Sequence, residues 1–319
     1  MIKHFKDEFH LMLREQIGYY PWLNHHPYRV NRLLRQNKRC WCCMEQEMRN
    51  ANHYIREMLE EQVCTNKLLD LLFKALIRSE IRFIHRFIPQ RSHEERLTGH
   101  LISEMSNSIE LIKDLFRLAS VEEYGVEKEI DFFYLDMSKG GKLESHTGAD
   151  LAICFSLDLP DYPKTYKSFV FQAKKMDFIS QLDVAQYDKL VNNFPDNSAY
   201  LFYDTNCKTL NCPFVLAANV SPISENAEKA EEKLQKSFSI DINDMYSGSP
   251  LSYFIIFELL ENFEKGETHR SLSSLVNSFR NSNIDFDGRL AIFSIGHSIN
   301  YSINNDGGLQ FDDKEVSNR

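Results

Sequence analysis

Three residues set the chemical question. Asp150 follows Gly148 and Ala149 and leads into the apolar run Leu151, Ala152, Ile153, Cys154 and Phe155. Gln172 and Lys174, with Ala173 between them, close a second run of Phe169, Val170 and Phe171. Asp150 and Gln172 are 22 positions apart, which leaves room for one strand, a turn and most of the next strand. If the two strands pair as a hairpin, Asp150 and the Gln172/Lys174 pair finish at the same end of the sheet. Gln172 and Lys174 are two apart and so share a face. A carboxylate, an amide oxygen and an ammonium group then converge where a phosphodiester would lie.

The surrounding elements must hold that geometry. A helix opens at Ser92, which forms an S-x-x-E capping-box pattern with Glu95. Leu97, Leu101, Met105, Ile109, Ile112 and Phe116 carry one apolar face along it. Residues 130–137, 151–157 and 168–174 are short, rich in β-branched and aromatic residues, and separated by Gly, Pro and Asp. Residues 177–193 return to helical spacing and 199–203 read as a short buried strand. The order is helix, three strands, helix, strand. Beyond it the pattern predicts a strand near 214–218, helices near 227–237, 253–263 and 269–279, and an apolar strand at 289–295. Upstream, residues 1–88 read as helical, with Leu59, Val63, Leu68, Leu71, Leu72, Ala75 and Ile77 at helical spacing. Ile88, Pro89 and Gln90 mark the expected boundary between a helical region, 1–90, and a second domain, 91–319.

The 319 residues suffice for one large domain or two small ones. No stretch approaches the roughly 20 apolar residues that span a bilayer, and the N-terminus lacks the apolar run of a signal peptide. A cytoplasmic protein with no membrane partner is expected. Seven cysteines do not suggest a disulfide scaffold. Cys40, Cys42 and Cys43 cluster around Trp41, but zinc sites more usually show paired CxxC or HxxxH spacings, so reduced, partly buried thiols are the preferred reading. The net charge of −9 argues against indiscriminate coating of nucleic acid, yet residues 1–90 hold 15 Lys/Arg against 10 Asp/Glu. A more basic N-terminal part beside an acidic body is compatible with localised nucleic-acid binding.

The combination over residues 94–204 resembles the PD-(D/E)XK nuclease superfamily, most closely the restriction-endonuclease-like members that write the motif as GxD…QxK. That superfamily's core is also helix, three strands, helix, strand. The resemblance implies an α/β restriction-endonuclease-like fold, a mixed sheet flanked by helices, with a helical N-terminal extension and a C-terminal mixed α/β elaboration. EERLTGHL, from Glu94 to Leu101, resembles the first core helix in members that begin E-x-x-L-T, and Glu94 is the residue chosen to complete the site. Gln186 matches a glutamine often seen in the helix after the QxK strand. The commoner family pattern has Glu where this chain has Gln172. An amide is a weaker ligand for hard cations than a carboxylate, so Glu94 or Glu144, six residues before Asp150, is a candidate to supply the missing charge.

The implied chemistry is metal-assisted phosphodiester hydrolysis. Asp150 and Glu94 would hold Mg²⁺, with Mn²⁺ as a substitute, and Gln172 and the Ala173 carbonyl would add oxygen ligands. Lys174 would orient the attacking water or neutralise the phosphorane. DNA is the expected substrate and RNA the less favoured one. Restriction or anti-phage defence is the implied context, a homo-oligomer is expected because cutting a duplex usually needs two sites, and a regulatory protein partner is implied by analogy. A catalytically inactive nucleic-acid-binding or assembly module on the same fold is the alternative.

Each residue also has a plainer reading. Asp150 can start a strand after a turn, Lys174 with Lys175 can be a solvated strand end, and a helix N-terminus favours an acid such as Glu94 on electrostatic grounds. Lys175 is otherwise placed to meet nucleic acid. Arg29, Arg32, Arg35 and Arg39 share one face if their segment is helical, with Tyr19, Tyr20, Trp22, Tyr28 and Trp41 nearby. That suits phosphate contacts and base stacking, or a solvated helix face over core aromatics. No G-x-S-x-G, P-loop, dinucleotide fingerprint or kinase set is present.

Overall fold

The structure is a computed structural model. It describes residues 62, 64–90, 92–137, 147–205, 213–241, 249–261, 265–281, 286, 288–303 and 309–311. The protein is α/β, with a mixed sheet flanked by helices on both faces. Helix α1 (Lys67–Phe87) and helix α2 (Glu94–Tyr124) pack together over one face. Asn66 starts α1, its side chain accepting from the Leu68 and Leu69 N–H groups at 2.9 and 3.2 Å. The buried stripe of α2 includes Leu97, Leu101, Met105, Ile109, Ile112 and Phe116, the spacing expected from sequence. The helix ends at Gly125, φ 72°, whose N–H reaches the Val121 carbonyl.

The start of α2 differs from expectation. Helical geometry begins at Glu94, His93 occupies the cap position, and no side chain among the described residues caps the helix. Ser92 lies one residue too early for a capping box. Tertiary bonds hold the first turn instead: Glu94 reaches the backbone of the third strand and the Glu95 carbonyl accepts from Arg289 Nη1. The boundary expected at 88–90 is a turn of 3₁₀ helix, and apolar residues of α1, α2 and the sheet belong to one continuous core.

The strands are β1 (Ile130–Asp136), β2 (Leu151–Leu157), β3 (Thr165–Met176), β4 (Ile179–Asp183), β5 (Ser198–Asp204), β6 (Phe214–Ala217), β7 (Ser237–Asp241), β8 (Ser249–Pro250), β9 (Glu267–His269), β10 (Arg289–Ile295), β11 (Tyr301–Ile303) and β12 (Leu309–Phe311). The main sheet runs β1-β10-β2-β3-β5-β6-β8, with β9 also paired to β3. The pairs β10/β2 and β3/β5 are parallel and the others in that path are antiparallel. Every residue of β2 and of β5 is buried, as a strand covered on both faces requires.

Chain order from α2 to β5 follows the expected helix, three strands, helix, strand, with two differences. Strand β10 lies between β1 and β2. Residues expected to begin a helix at 177 form β4, and helix α3 (Val184–Asn193) starts only after Asp183 caps it, the Asp183 carboxylate accepting from Gln186 N–H at 2.9 Å. Strand β4 alternates exposed and buried residues and pairs with β7, some sixty positions along the chain, and that ladder replaces the helical hydrogen bonds.

Helix α4 (Ile223–Glu232) and helix α5 (Leu272–Asn281) join α3 on the second face. The expected helix near 253–263 is a short turn, Leu251–Tyr253, that continues as π-helix over Phe254–Leu260 on the first face. No helix among the described residues is long and apolar enough to cross a membrane. Cys64 and Cys154 are unpaired and buried, and burial pushes both thiols up. Cys40, Cys42 and Cys43 lie outside the described residues.

Helix α4 ends in a two-bond cap: Leu234 N–H reaches the Glu231 carbonyl at 2.9 Å and Gln235 N–H reaches Ala230 at 2.8 Å. Leu234 sits there at φ 54° with 93% of its surface exposed, in a conformation that favours glycine. Leu234→Gly is therefore expected to stabilise the fold by about 0.5–1 kcal/mol in denaturant titration. An unchanged or lower midpoint would contradict this.

Candidate active site

The β2/β3 hairpin performs the juxtaposition expected of it. Leu151 lies opposite Phe171, and Asp150 N–H donates to the Phe171 carbonyl at 2.8 Å, so the ladder extends by one residue and sets Asp150 beside Gln172. Asp150 Oδ2 accepts from the Ala173 N–H at 2.9 Å and from Gln172 Nε2. Gln172 is buried, 4% exposed, and its amide oxygen meets no hydrogen-bond partner among the described residues. Two residues further along the strand, Lys174 Nζ donates to Gln186 Oε1 at 3.1 Å. Lys175 faces the other way, and its backbone N–H donates to Glu94 Oε1 at 3.1 Å. Five residues chosen from sequence, Glu94, Asp150, Gln172, Lys174 and Gln186, thus meet at one end of the β2/β3 pair.

The electrostatics of this end are unusual for a carboxylate. Burial pushes the Asp150 carboxyl up to about 6, and the negative charge of Glu94 adds to that. The Ala173 N–H, the Lys174 ammonium and the Arg289 guanidinium oppose it and do not cancel the desolvation. A perturbed carboxyl flanked by a lysine and an acid is a recurring property of functional sites.

Gly148 is required twice in holding the site together. Its φ is +71°, and a Cβ built there would lie 2.6 Å from the Gln186 carbonyl oxygen and 3.1 Å from the Leu190 nitrogen. The left-handed turn that presents Asp150 and the close seat of α3 depend on the same missing side chain. Gly148→Ala is expected to cost about 1–2 kcal/mol from the left-handed backbone alone. It should also push α3 away from the strand and separate Gln186 from Lys174. Denaturation midpoints and metal-dependent activity, measured on the same preparation, test both effects; a variant with wild-type values for both would refute them.

Some partners were not legible in the sequence. Arg289 begins β10, and its N–H donates to the Asp150 carbonyl at 2.9 Å. Thr98 is buried, donates to the Glu94 carbonyl at 3.0 Å and lies 2.9 Å from the Tyr203 hydroxyl, tying the first turn of α2 to β5. Tyr200 lies beside Gln172 on the adjacent strand, and its buried hydroxyl has no hydrogen-bond partner among the described residues. A strand beginning at Arg289 was visible, but its place next to Asp150 depends on pairing across the sheet.

Other candidates are not brought into this group. Glu144 lies outside the described residues, as do Arg29, Arg32, Arg35 and Arg39. Lys175 is partly exposed at the strand end. Among the described residues no three His, Cys, Asp or Glu side chains are grouped to hold a metal. The donor set at the site is two carboxylates, an amide oxygen and the Ala173 carbonyl. These are oxygen donors of the kind hard divalent cations take, and the buried, unpartnered Gln172 oxygen beside Asp150 fits such a ligand. Comparison of the chain with protein-family models, with characterised proteins and with solved structures found no match for it.

Proposed function

We propose that the protein is a metal-dependent nuclease of the PD-(D/E)XK type that hydrolyses DNA phosphodiester bonds. The observation that carries this reading is the meeting of Asp150, Gln172 and Lys174 at one end of β2/β3, with Gln186 bonded to Lys174 and Glu94 bonded to the neighbouring backbone. The order of elements from α2 to β5 also supports a restriction-endonuclease-like core. Asp150, Glu94, the Gln172 amide oxygen and the Ala173 carbonyl would hold Mg²⁺. Bound there, the ion would polarise the phosphoryl group and ease deprotonation of a water.

The protein's own groups do the rest. Gln172 Nε2 and the Ala173 N–H hold the Asp150 carboxylate in one orientation. Gln186 positions the Lys174 ammonium, a fixed positive charge directed to where negative charge grows on phosphate. Restriction or anti-phage defence, a homo-oligomer that cuts both strands and a regulatory partner follow from this reading as expectations.

A second reading, a binding or assembly module without cleavage, is favoured by one feature: an amide stands at position 172, leaving only two carboxylates among the described residues of the site. The discriminating experiment offers plasmid, linear duplex, single-stranded DNA and RNA to the protein with Mg²⁺, Mn²⁺ or EDTA, beside Lys174→Ala. Cleavage with metal that falls by about a hundredfold or more in the variant is expected. Equal cutting by the variant, or no cutting by the wild type on any substrate, would overturn the proposal; cleavage of RNA alone would change its substrate.

A further inference from the structure

A polar groove of about 590 Å³ lies between α4 and β7. Lys229, Lys233 and Lys236 line it together with Asn226, Ser237 and Ser239. Helix α4 also carries Glu225, Glu228, Glu231 and Glu232, but none of them lines the groove, whose charged lining is lysine alone. Lys229 pairs with Glu225 at 3.7 Å, but both side chains are about 60% exposed, and such a pair is worth little against a competing anion. Neither Lys233 nor Lys236 has an ion-pair partner among the described residues. The hydroxyl of Ser239 accepts from Gln181 Nε2 at 2.6 Å, which leaves its own proton to donate.

The groove is tied to the candidate active site through the chain. The Lys236 carbonyl accepts from Val184 N–H at 3.0 Å, and Val184 is the first residue of α3. Two residues later comes Gln186, which holds Lys174. The cap at the end of α4 turns the backbone between Lys233 and Lys236, so both side chains line the same groove. The ligand chemistry this favours is a run of negative charges with many weak acceptors. Lysine ammonium groups act as point charges on phosphates, and hydroxyl and amide groups hydrogen-bond phosphate oxygens without reading sequence.

We propose that this groove binds the sugar–phosphate backbone of duplex DNA, continuing the path of a strand whose reacting phosphate lies at Lys174. The proposal rests on the nuclease reading for the position of the reacting phosphate, and its test is independent of cleavage. Wild-type protein and the triple variant Lys229→Ala, Lys233→Ala, Lys236→Ala are titrated with labelled duplex DNA and, in parallel, with labelled RNA in EDTA across a range of salt. Lys113→Ala, a substitution on the far side of the sheet, serves as the control. Circular dichroism confirms folding of each variant, which surface Lys→Ala changes preserve.

Loss of three phosphate contacts lowers the slope of log affinity against log salt by about 2.7, and affinity near 0.1 M salt falls at least about tenfold. The control keeps the wild-type slope. An unchanged slope in the triple variant overturns the proposal, and if the wild type still cuts DNA the nuclease reading survives. Groove-dependent binding without cleavage supports the groove and sinks the nuclease reading. Loss of RNA binding with DNA binding intact, or no nucleic-acid binding by the wild type, overturns the assignment to DNA.

Discussion

Asp150→Asn is expected to lower metal-dependent cleavage by at least about a hundredfold. Asparagine keeps the size of the side chain and an oxygen that accepts from the Ala173 N–H and Gln172 Nε2, so the local geometry survives. What it removes is the negative charge that would hold a hard cation beside the Gln172 oxygen. Residual activity within a few-fold of wild type would exclude Asp150 from the chemistry.

The same substitution carries a pH signature. Burial raises the folded-state carboxyl to about 6, above its ordinary value of 3.8. Between these values the folded protein binds more protons at this position than the unfolded chain does. Stability contributed by Asp150 therefore falls as pH rises through that window, and above it the full cost of the buried charge is present. Asp150→Asn has no such cost. Without metal it is expected to be more stable than wild type at pH 7.5, by an amount on the order of 1 kcal/mol, and the advantage should vanish near pH 4. A group kept at some expense to the fold is what a functional site predicts. Thermal melts in EDTA at the two pH values measure it, and a variant less stable than wild type at pH 7.5 would contradict the assignment.

The largest expected effect on stability lies at Glu80, a residue outside the candidate active site. This α1 residue is fully buried, and its two carboxylate oxygens accept from Ser252 N–H at 2.7 Å and Ser252 Oγ at 2.8 Å. Phe73 packs edge-on against Phe257 nearby, and Phe83 lies against Tyr203 of β5. Glu80→Ala leaves two buried donors without these acceptors and opens a cavity. It is expected to cost about 3 kcal/mol and lower the melting temperature by about 6–12 °C. Glu80→Gln keeps one acceptor oxygen and should lose about half as much. A loss below about 1 kcal/mol for Glu80→Ala would mean that α1 is only loosely joined to the rest of the fold.

Glu80 also illustrates what a one-dimensional reading passes over. The helical spacing of α1 was visible in Leu68, Leu72, Ala75 and Ile77, all of them buried. A glutamate among them reads as a solvated position until the Ser252 hydroxyl and N–H, 172 residues away, arrive to satisfy it. The helix was also expected to belong to a region ending at residue 90. Its apolar face shares a core with α2 and with β2, β3 and β5.

By itself the sequence determined the features that depend on neighbours in the chain. The apolar stripe of α2, at intervals of three or four residues, the apolar runs of β2 and β10, and the two-residue spacing of Gln172 and Lys174 follow from local periodicity, and the structure keeps them. The 22-residue separation sufficed to place Asp150 beside Gln172, since an antiparallel hairpin is a short-range pairing. Only the tertiary structure decided the rest. It inserted β10 beside Asp150, bringing Arg289 to the site, and turned the expected start of α3 into β4 by pairing it with β7. It also held the first turn of α2 with Glu94 and Arg289 in place of the Ser92 cap. In each case a partner distant in sequence supplies hydrogen bonds or charge that outweigh a local preference worth about 1 kcal/mol or less.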